Sequence, residues 1–270
     1  MVSFPNCKIN LGLHILGKRT DGFHNLETCF YPIPLTDALE IITAPDQEFH
    51  FNQTGLTLNL PASGNICIKA YELFREAYPD CPPVHMHLHK TIPSGAGLGG
   101  GSADAAFTLL LLNEKYKAGF SQDALISLAL QLGSDCPFFI LNRPCIATGR
   151  GEEMKPIDLD LSQHTIMLVN PGIHVNTGWA FSQVRITQHT GTLNSLISLP
   201  LEEWKDRLVN DFEEPVFATH PELSSIKATL YKAGAVYASM SGSGSTLYGI
   251  FRNHDFTPPS FPGQYFTRVI

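Results

Sequence analysis

Pro93-Ser-Gly-Ala-Gly-Leu-Gly-Gly-Gly-Ser-Ala103 places five glycines within seven residues. Such a run leaves consecutive backbone N–H groups uncovered by side chains. Each glycine costs roughly 0.5–1 kcal/mol more than alanine to order, so the pattern points to close approach of the backbone to a ligand. Upstream, Val84, Met86 and Leu88 alternate with His85, His87 and His89, the period of a half-buried strand. Downstream, Ala103 to Asn113 is rich in helix formers, with Ser102 expected as the N-cap. Strand, loop and helix start bring oriented amides and the positive end of a helix dipole to one point, an anion site suited to phosphate. The plain alternative is a tight connection with no ligand.

Gly95, Gly97 and Gly100 also satisfy the G-x-G-x-x-G dinucleotide fingerprint. That fingerprint follows a strand buried on both faces, whereas three histidines on one side of residues 84–89 make this strand half-exposed. The P-loop pattern fails, because no Gly-Lys-Ser or Gly-Lys-Thr follows the glycines. Another kind of nucleotide loop is required.

Pro-x-x-x-Gly-Leu-Gly-Gly-Gly-Ser resembles the central motif of the GHMP kinases, the superfamily of galactokinase, homoserine kinase and mevalonate kinase. Pro5-Asn-Cys-Lys-Ile-Asn-Leu-Gly-Leu13 is similar to the family's first motif and Met240-Ser-Gly-Ser-Gly-Ser-Thr-Leu-Tyr-Gly249 to its third, in the right order across nearly the whole chain. Gly17-Lys-Arg-Thr-Asp-Gly-Phe-His24 and Leu132-Gly-Ser-Asp-Cys-Pro-Phe-Phe139 resemble the branch that phosphorylates the 2-hydroxyl of a cytidine diphosphate-linked methylerythritol in non-mevalonate isoprenoid synthesis. The resemblance implies an α+β, two-domain kinase: an N-terminal ATP-loop domain, a ferredoxin-like C-terminal domain, and an active site in the cleft between them. Composition and pattern alone support only a mixed protein of interleaved strands and helices.

Phosphoryl transfer to an alcohol needs an oriented nucleophile, a cation near the moving charge and a carboxylate to take the proton. The resemblance assigns Asp135 as general base, Lys8 as the cation that keeps it ionised and orients the hydroxyl, and Asn10 as support for both. It implies that Pro93, Gly95, Gly97, Leu98, Gly99, Gly100, Gly101 and Ser102 wrap the ATP phosphates, with Asn65 and Lys90 around the adenosine and phosphates. His24 is expected to bond the cytosine edge, and Phe23 and Phe181 to stack on its faces. Phe23 stands where the family often has tyrosine, keeping the π face and losing a hydroxyl. Without the resemblance, Asp135 in Ser-Asp-x-Pro reads as a helix N-cap, Asn65 as the cap of a helix from Ile66, Lys8 and Lys90 as solvated lysines, and both phenylalanines as core. Mg²⁺ is expected with ATP, held chiefly by phosphate oxygens and water.

The 270 residues, 43% of them hydrophobic, suffice for one large or two modest domains. A net charge of −7 disfavours a nucleic acid polymer, so an anionic substrate is drawn by placed cations such as Lys8, Arg19 and Lys90. Six scattered cysteines without C-x-x-C spacing indicate neither zinc nor a disulfide framework and fit a reducing cytoplasm. No signal peptide or membrane span is expected, and the partners are small-molecule substrates of a monomer or homodimer. His85, His87 and His89 share a strand face, whose spacing rarely converges three rings on one ion, so no metal site is expected there. Strands are predicted over 8–16, 37–43, 84–89 and 165–169, and helices over 66–77, 103–115 and 122–132 with Gly133 as the stop. The acidic, proline-containing stretch 151–162 reads as a linker, which sets domains of 1–158 and 159–270. Asn210-Asp-Phe-Glu213 resembles a family element of the second domain, with a solvated helix start as the alternative reading of its carboxylates, and is left outside the site. Two other classes compete: a nicotinamide-dependent oxidoreductase and a non-catalytic nucleotide-binding module, the latter disfavoured by Lys8 and Asp135. Within the kinases the alternative is homoserine or mevalonate kinase.

Overall fold

The computed structural model describes residues 1–56, 64–186, 188, 189, 191–253 and 256–270. The strands are β1 (Val2–Ser3), β2 (Asn6–Lys18), β3 (His24–Thr36), β4 (Ala38–Thr43), β5 (His50–Gly55), β6 (Val84–Lys90), β7 (Cys145–Thr148), β8 (Glu153–Pro156), β9 (His164–Asn170), β10 (Tyr237–Met240), β11 (Leu247–Arg252) and β12 (Phe266–Val269). The helices are α1 (Ile66–Ala77), α2 (Gly100–Tyr116), α3 (Gln122–Leu132), α4 (Cys136–Leu141), α5 (Thr177–Gln183), α6 (Leu193–Ile197), α7 (Glu213–Thr219) and α8 (Pro221–Lys232).

Two compact units interleave along the chain. The first takes Met1–Cys7, Pro32–Ser94 and Gly99–Arg143, and the second Lys8–Tyr31, Gly95–Leu98 and Pro144–Ile270. A division at residue 158 follows neither unit, because β3 pairs with β7, Thr28 opposite Ala147, and so ties residues from the start of the chain to those after Arg143. The expected linker also carries a strand: β8 pairs antiparallel with β7.

The first unit is built on the sheet β1-β4-β6-β5, in which β5 runs parallel to β6 and the other pairs are antiparallel. Val84, Met86 and Leu88 of β6 and Leu39 and Ile41 of β4 are buried, while the histidines between them face outward, as the alternation predicts. Helix α1 buries Cys67, Ala70, Tyr71 and Phe74, one stripe at helical spacing, and Asn65 caps it by accepting from the Cys67 N–H. Helix α2 buries residues around most of its circumference, as an interior helix does.

The second unit holds the sheet β10-β11-β9-β12, antiparallel throughout, and most of the sheet β2-β3-β7-β8, with Asn6–Cys7 of β2 and Pro32–Thr36 of β3 counted in the first. Its core gathers Leu13 and Ile15 of β2, Met167 and Val169 of β9, Leu223, Ile226 and Leu230 of α8, and Phe212 and Phe251. Among the described residues no helix is long and apolar enough to cross a membrane.

Candidate active site

The glycine run divides between the units, Gly95–Leu98 belonging to the second and Gly99 onward to the first. In the second unit the loop is stitched to the two other glycine-containing motifs. The Leu98 carbonyl accepts from the Lys8 N–H at 2.9 Å, the Ala96 carbonyl from the Thr246 N–H at 3.2 Å, and the Gly97 carbonyl from Ser241 Oγ at 2.8 Å. Gly97 has φ +79°, and a Cβ there would lie 2.0 Å from the Ser241 carbonyl oxygen. Backbone proximity inside the protein, as well as any ligand, demands this glycine.

In the first unit α2 begins at Gly100, three residues before the predicted start. Its N-cap is Gly99 in the left-handed region (φ 70°, ψ 16°) and not Ser102. A serine at the cap would help with its hydroxyl; a glycine at φ > 0 lets the chain turn into the helix sooner. The first intrahelical bond of this turn runs from the Ala103 N–H to the Gly99 carbonyl at 2.9 Å. Helix geometry therefore gives the N–H groups of Gly100, Gly101 and Ser102 no intrahelical acceptor and turns them toward the N-terminal end, where an anion is favoured.

Lys90 is 1% exposed, which contradicts a solvated lysine and leaves its ammonium no surface from which to meet a phosphate. It is held between Asp37 and Asp104, the latter at 2.6 Å, while Asp37 also accepts from the Thr91 and Ile92 N–H groups at 2.6 and 2.9 Å. Burial works against the Lys90 charge, yet the two carboxylates outweigh it and raise its pKa. Burial pushes the Asp104 carboxyl up to about 8, with the like charge of Asp37 adding to it and Lys90 opposing. Lys90 thus anchors α2: a Cβ on Gly100 would lie 2.9 Å from Ile92 and 3.4 Å from Lys90 Nζ. Asn65 is 7% exposed and spends its carbonyl on the α1 cap and its amide on Gln53. Both residues expected around the nucleotide are engaged within the first unit.

Lys8 is 3% exposed, not solvent-facing, because both faces of β2 are buried from Asn6 to Ile15. Its ammonium donates to Asn10 Oδ1 at 2.6 Å and lies 4.8 Å from the Phe30 ring centroid. Asn10 is fixed in turn by Thr28 Oγ1 at 2.9 Å, by Ser241 Oγ on its N–H at 3.2 Å, and by the Tyr248 hydroxyl on its carbonyl at 2.8 Å. Thr28, Ser241 and Tyr248 carry no signal in the sequence around Lys8; strand pairing and the third motif bring them there. Asp135 is half-buried at the N-cap position of α4, but its side chain makes no capping hydrogen bond. The capping reading accounts for its position and not for its carboxylate.

Within the second unit His24 stacks on Phe181, with ring centroids 4.9 Å apart and planes 14° from parallel, and Phe181 meets the buried Phe212 edge-on at 4.9 Å. The structure brings together two of the three residues expected at the cytosine, with the histidine covering a face of the phenylalanine. Phe23 is 52% exposed, and its ring lies under the Arg150 guanidinium at 4.8 Å, a partner that sequence reading missed. Arg19 is turned to Asp21 at 3.0 Å and to Asn25 at 3.0 Å, so it shapes the 18–25 turn.

Asn210 is 3% exposed, contrary to a solvated helix start. Its amide donates to the Met240 and Gly242 carbonyls at 2.7 and 2.9 Å, and Glu213 accepts from Ser239 Oγ, the Met240 N–H and Lys227. The segment clamps the glycine turn between β10 and β11.

Comparison with known proteins matches the family models for the GHMP kinases N terminal domain to residues 65–143 and GHMP kinases C terminal to residues 194–255. The chain is 50% identical over 251 residues to 4-diphosphocytidyl-2-C-methyl-D-erythritol kinase of Parabacteroides distasonis, covering 93% of this chain and 92% of that one. It is similar to a crystal structure of 4-(cytidine 5'-diphospho)-2C-methyl-D-erythritol kinase at TM-score 0.79 and 32% identity, over 93% of this chain and 90% of that one. Methanococcus jannaschii mevalonate kinase shares the fold at TM-score 0.71 and 14% identity, over 94% and 92% of the two chains.

Proposed function

Because this chain belongs to the GHMP kinases and is an ATP-dependent small-molecule kinase, we propose that it transfers the γ-phosphoryl group of ATP to the 2-hydroxyl of 4-diphosphocytidyl-2-C-methyl-D-erythritol, in the non-mevalonate route to isoprenoids. The observation that carries this reading is the 50% identity across 93% of the chain to a kinase of that name. The His24–Phe181 ring pair, which offers a polar edge beside an aromatic face, supports it.

In this reading the amides of Gly95 to Ser102 take the triphosphate, helped by the positive end of α2. Asp135 receives the proton of the attacking hydroxyl. Lys8, its ammonium fixed by Asn10, supplies positive charge at the reacting end; a cation placed in advance costs no reorganisation in the transition state. Mg²⁺ takes oxygen donors and keeps several waters, and the Ser102 hydroxyl in the first turn of α2 is a donor of that kind. When bound with ATP the ion neutralises phosphate charge. For a cytosine to stack on Phe181, the His24 ring must leave the face it covers and turn its nitrogens to the base edge. Lys90 and Asn65 serve the loop indirectly, by holding the strand and helix that frame it. Six buried cysteines present as thiols fit a reducing, cytoplasmic setting.

The test is ADP release measured with 4-diphosphocytidyl-2-C-methyl-D-erythritol, mevalonate, homoserine and galactose in turn. Turnover is expected with the cytidine substrate alone at an appreciable kcat/KM; efficient use of mevalonate or homoserine would overturn the assignment of substrate and leave the kinase class intact.

A further inference from the structure

Strands β4, β6 and β5 present one face to solvent, and on it the register sets His85 between Ile42 and His50. The connection from β4 to β5 passes beside this row and carries Asp46. His50 Nε2 lies 2.9 Å from Asp46 Oδ2, and His85 Nε2 lies 2.8 Å from Asp46 Oδ1. The two imidazoles are edge to face with centroids 4.6 Å apart, so that both Nε2 atoms meet one carboxylate. The carboxylate is itself oriented, Oδ1 accepting from the Glu48 N–H at 3.2 Å. Three donors from three segments, a loop and two strands, thus converge within 4.8 Å of one another.

We propose that Asp46, His50 and His85 form a binding site for a divalent transition-metal ion of the Zn²⁺ class. Bonds of 2.0–2.2 Å in a tetrahedron set ligand atoms about 3.4 Å apart, so closing the site needs shifts of roughly 1.4 Å or less, within reach of side-chain rotation. Each neutral ring would carry its proton on Nδ1 and offer the Nε2 lone pair. Two imidazoles and one carboxylate select Zn²⁺, Co²⁺, Ni²⁺ or Cu²⁺ over Mg²⁺, which takes oxygen ligands, so this site is distinct from the metal that accompanies ATP. Beside it a surface depression of about 350 Å³, lined by Glu40, His50, Asn52, His85 and His87, leaves room for a water or the Glu40 carboxylate as fourth ligand. The site does not join the three histidines of β6: His85 binds with groups from outside its strand, while His87 and His89 each lie 2.9 Å from the Thr54 hydroxyl. A bound ion would pin the edge strand β5 and the connection from β4 to β5 against β6.

Chelator-treated full-length protein is titrated with ZnCl₂ by calorimetry and with Co²⁺ by visible absorption. The wild type is expected to bind one equivalent and to gain thermal stability with Zn²⁺. His50→Gln and His85→Gln should each weaken binding at least about tenfold, with His87→Gln close to wild type. His50 has 54% side-chain exposure, so its variant folds and carries the test even if His85→Gln perturbs the sheet. Absence of saturable binding by the wild type, or binding undiminished in His50→Gln, would reduce the cluster to a pair of surface ion pairs and overturn the proposal.

Discussion

Lys8 and Asp135, proposed above as the cation and the base, are held in different physical ways. Lys8 is buried on a strand and locked by a chain of hydrogen bonds through Asn10, whereas Asp135 sits half-buried at a helix start without using its carboxylate to cap it. Asp135→Asn keeps that helix start and removes the base, so kcat should fall roughly 10²- to 10⁴-fold with ATP affinity near normal, as single-turnover and calorimetric measurements would show. Wild-type kcat would remove Asp135 from the mechanism. At the other end, His24→Ala and Phe181→Ala should raise KM for the cytidine substrate, by the equivalent of about 1–3 kcal/mol for the ring, and barely alter that for ATP. An unchanged KM in both would mean that the stacked pair is only core. Asp104 makes a prediction about pH. Its carboxyl titrates at about 8 in the fold against an ordinary 3.8, so between those values the folded state holds a proton that the unfolded chain has released. The stability it contributes is full below about pH 4 and is lost as pH rises through about 8. Urea unfolding across that window should show the loss in wild type and a flatter profile in Asp104→Asn.

At the scale of elements, α1 and α3 lie where the sequence places them, because each has an apolar stripe and a side-chain cap, Asn65 and Ser121. Strand β3 was not legible: Pro32 and Pro34, which lack a backbone N–H, interrupt its pattern, and Cys29 and Phe30, adjacent and both buried, hide the alternation of a one-sided strand. Strand β5 hides for the opposite reason, since its residues are mostly polar and its pairing with β6 is non-local. The glycine loop was legible as a loop, but not which glycines serve the protein's own packing. Gly97→Val would drive a side chain into the Ser241 carbonyl and should lower stability as well as ATP binding. Gly101 is the cleaner probe. Its φ is not in the left-handed region, and a Cβ there meets nothing nearer than Ile66 at 3.9 Å. Gly101→Ala should therefore leave the melting temperature within a few degrees, while a methyl at the helix start weakens ATP severalfold in calorimetry with a non-hydrolysable analogue. Unaltered ATP affinity in this well-folded variant would make the loop structural.

Across the whole molecule, the family's three motifs mark residues far apart in the chain, and Lys8–Leu13 of the first, Gly95–Leu98 of the central one and all of Met240–Gly249 fall in one compact unit. This interleaving was not legible, because strand exchange between the start of the chain and its second half is set by pairing partners that no local pattern announces. The same holds for the Lys90 cluster, whose carboxylates come from Asp37 and Asp104, 53 and 14 residues away. Motif residues, Ser241 and Tyr248 among them, were legible because backbone approach and charge restrict which residue types can stand there; the supporting Thr28 and Arg150 were not, because many residues could fill those places. The proposed function requires that this GHMP kinase recognise its alcohol through a cytosine at the far end of the substrate. The most direct measurement is steady-state kcat/KM of the wild type and His24→Ala with 4-diphosphocytidyl-2-C-methyl-D-erythritol, ATP and Mg²⁺, beside mevalonate and homoserine. Efficient turnover is expected with the cytidine substrate alone, reduced at least about tenfold in His24→Ala through KM; comparable turnover of mevalonate or homoserine by the wild type, or a His24→Ala enzyme equal to wild type, would rule out recognition through the cytosine.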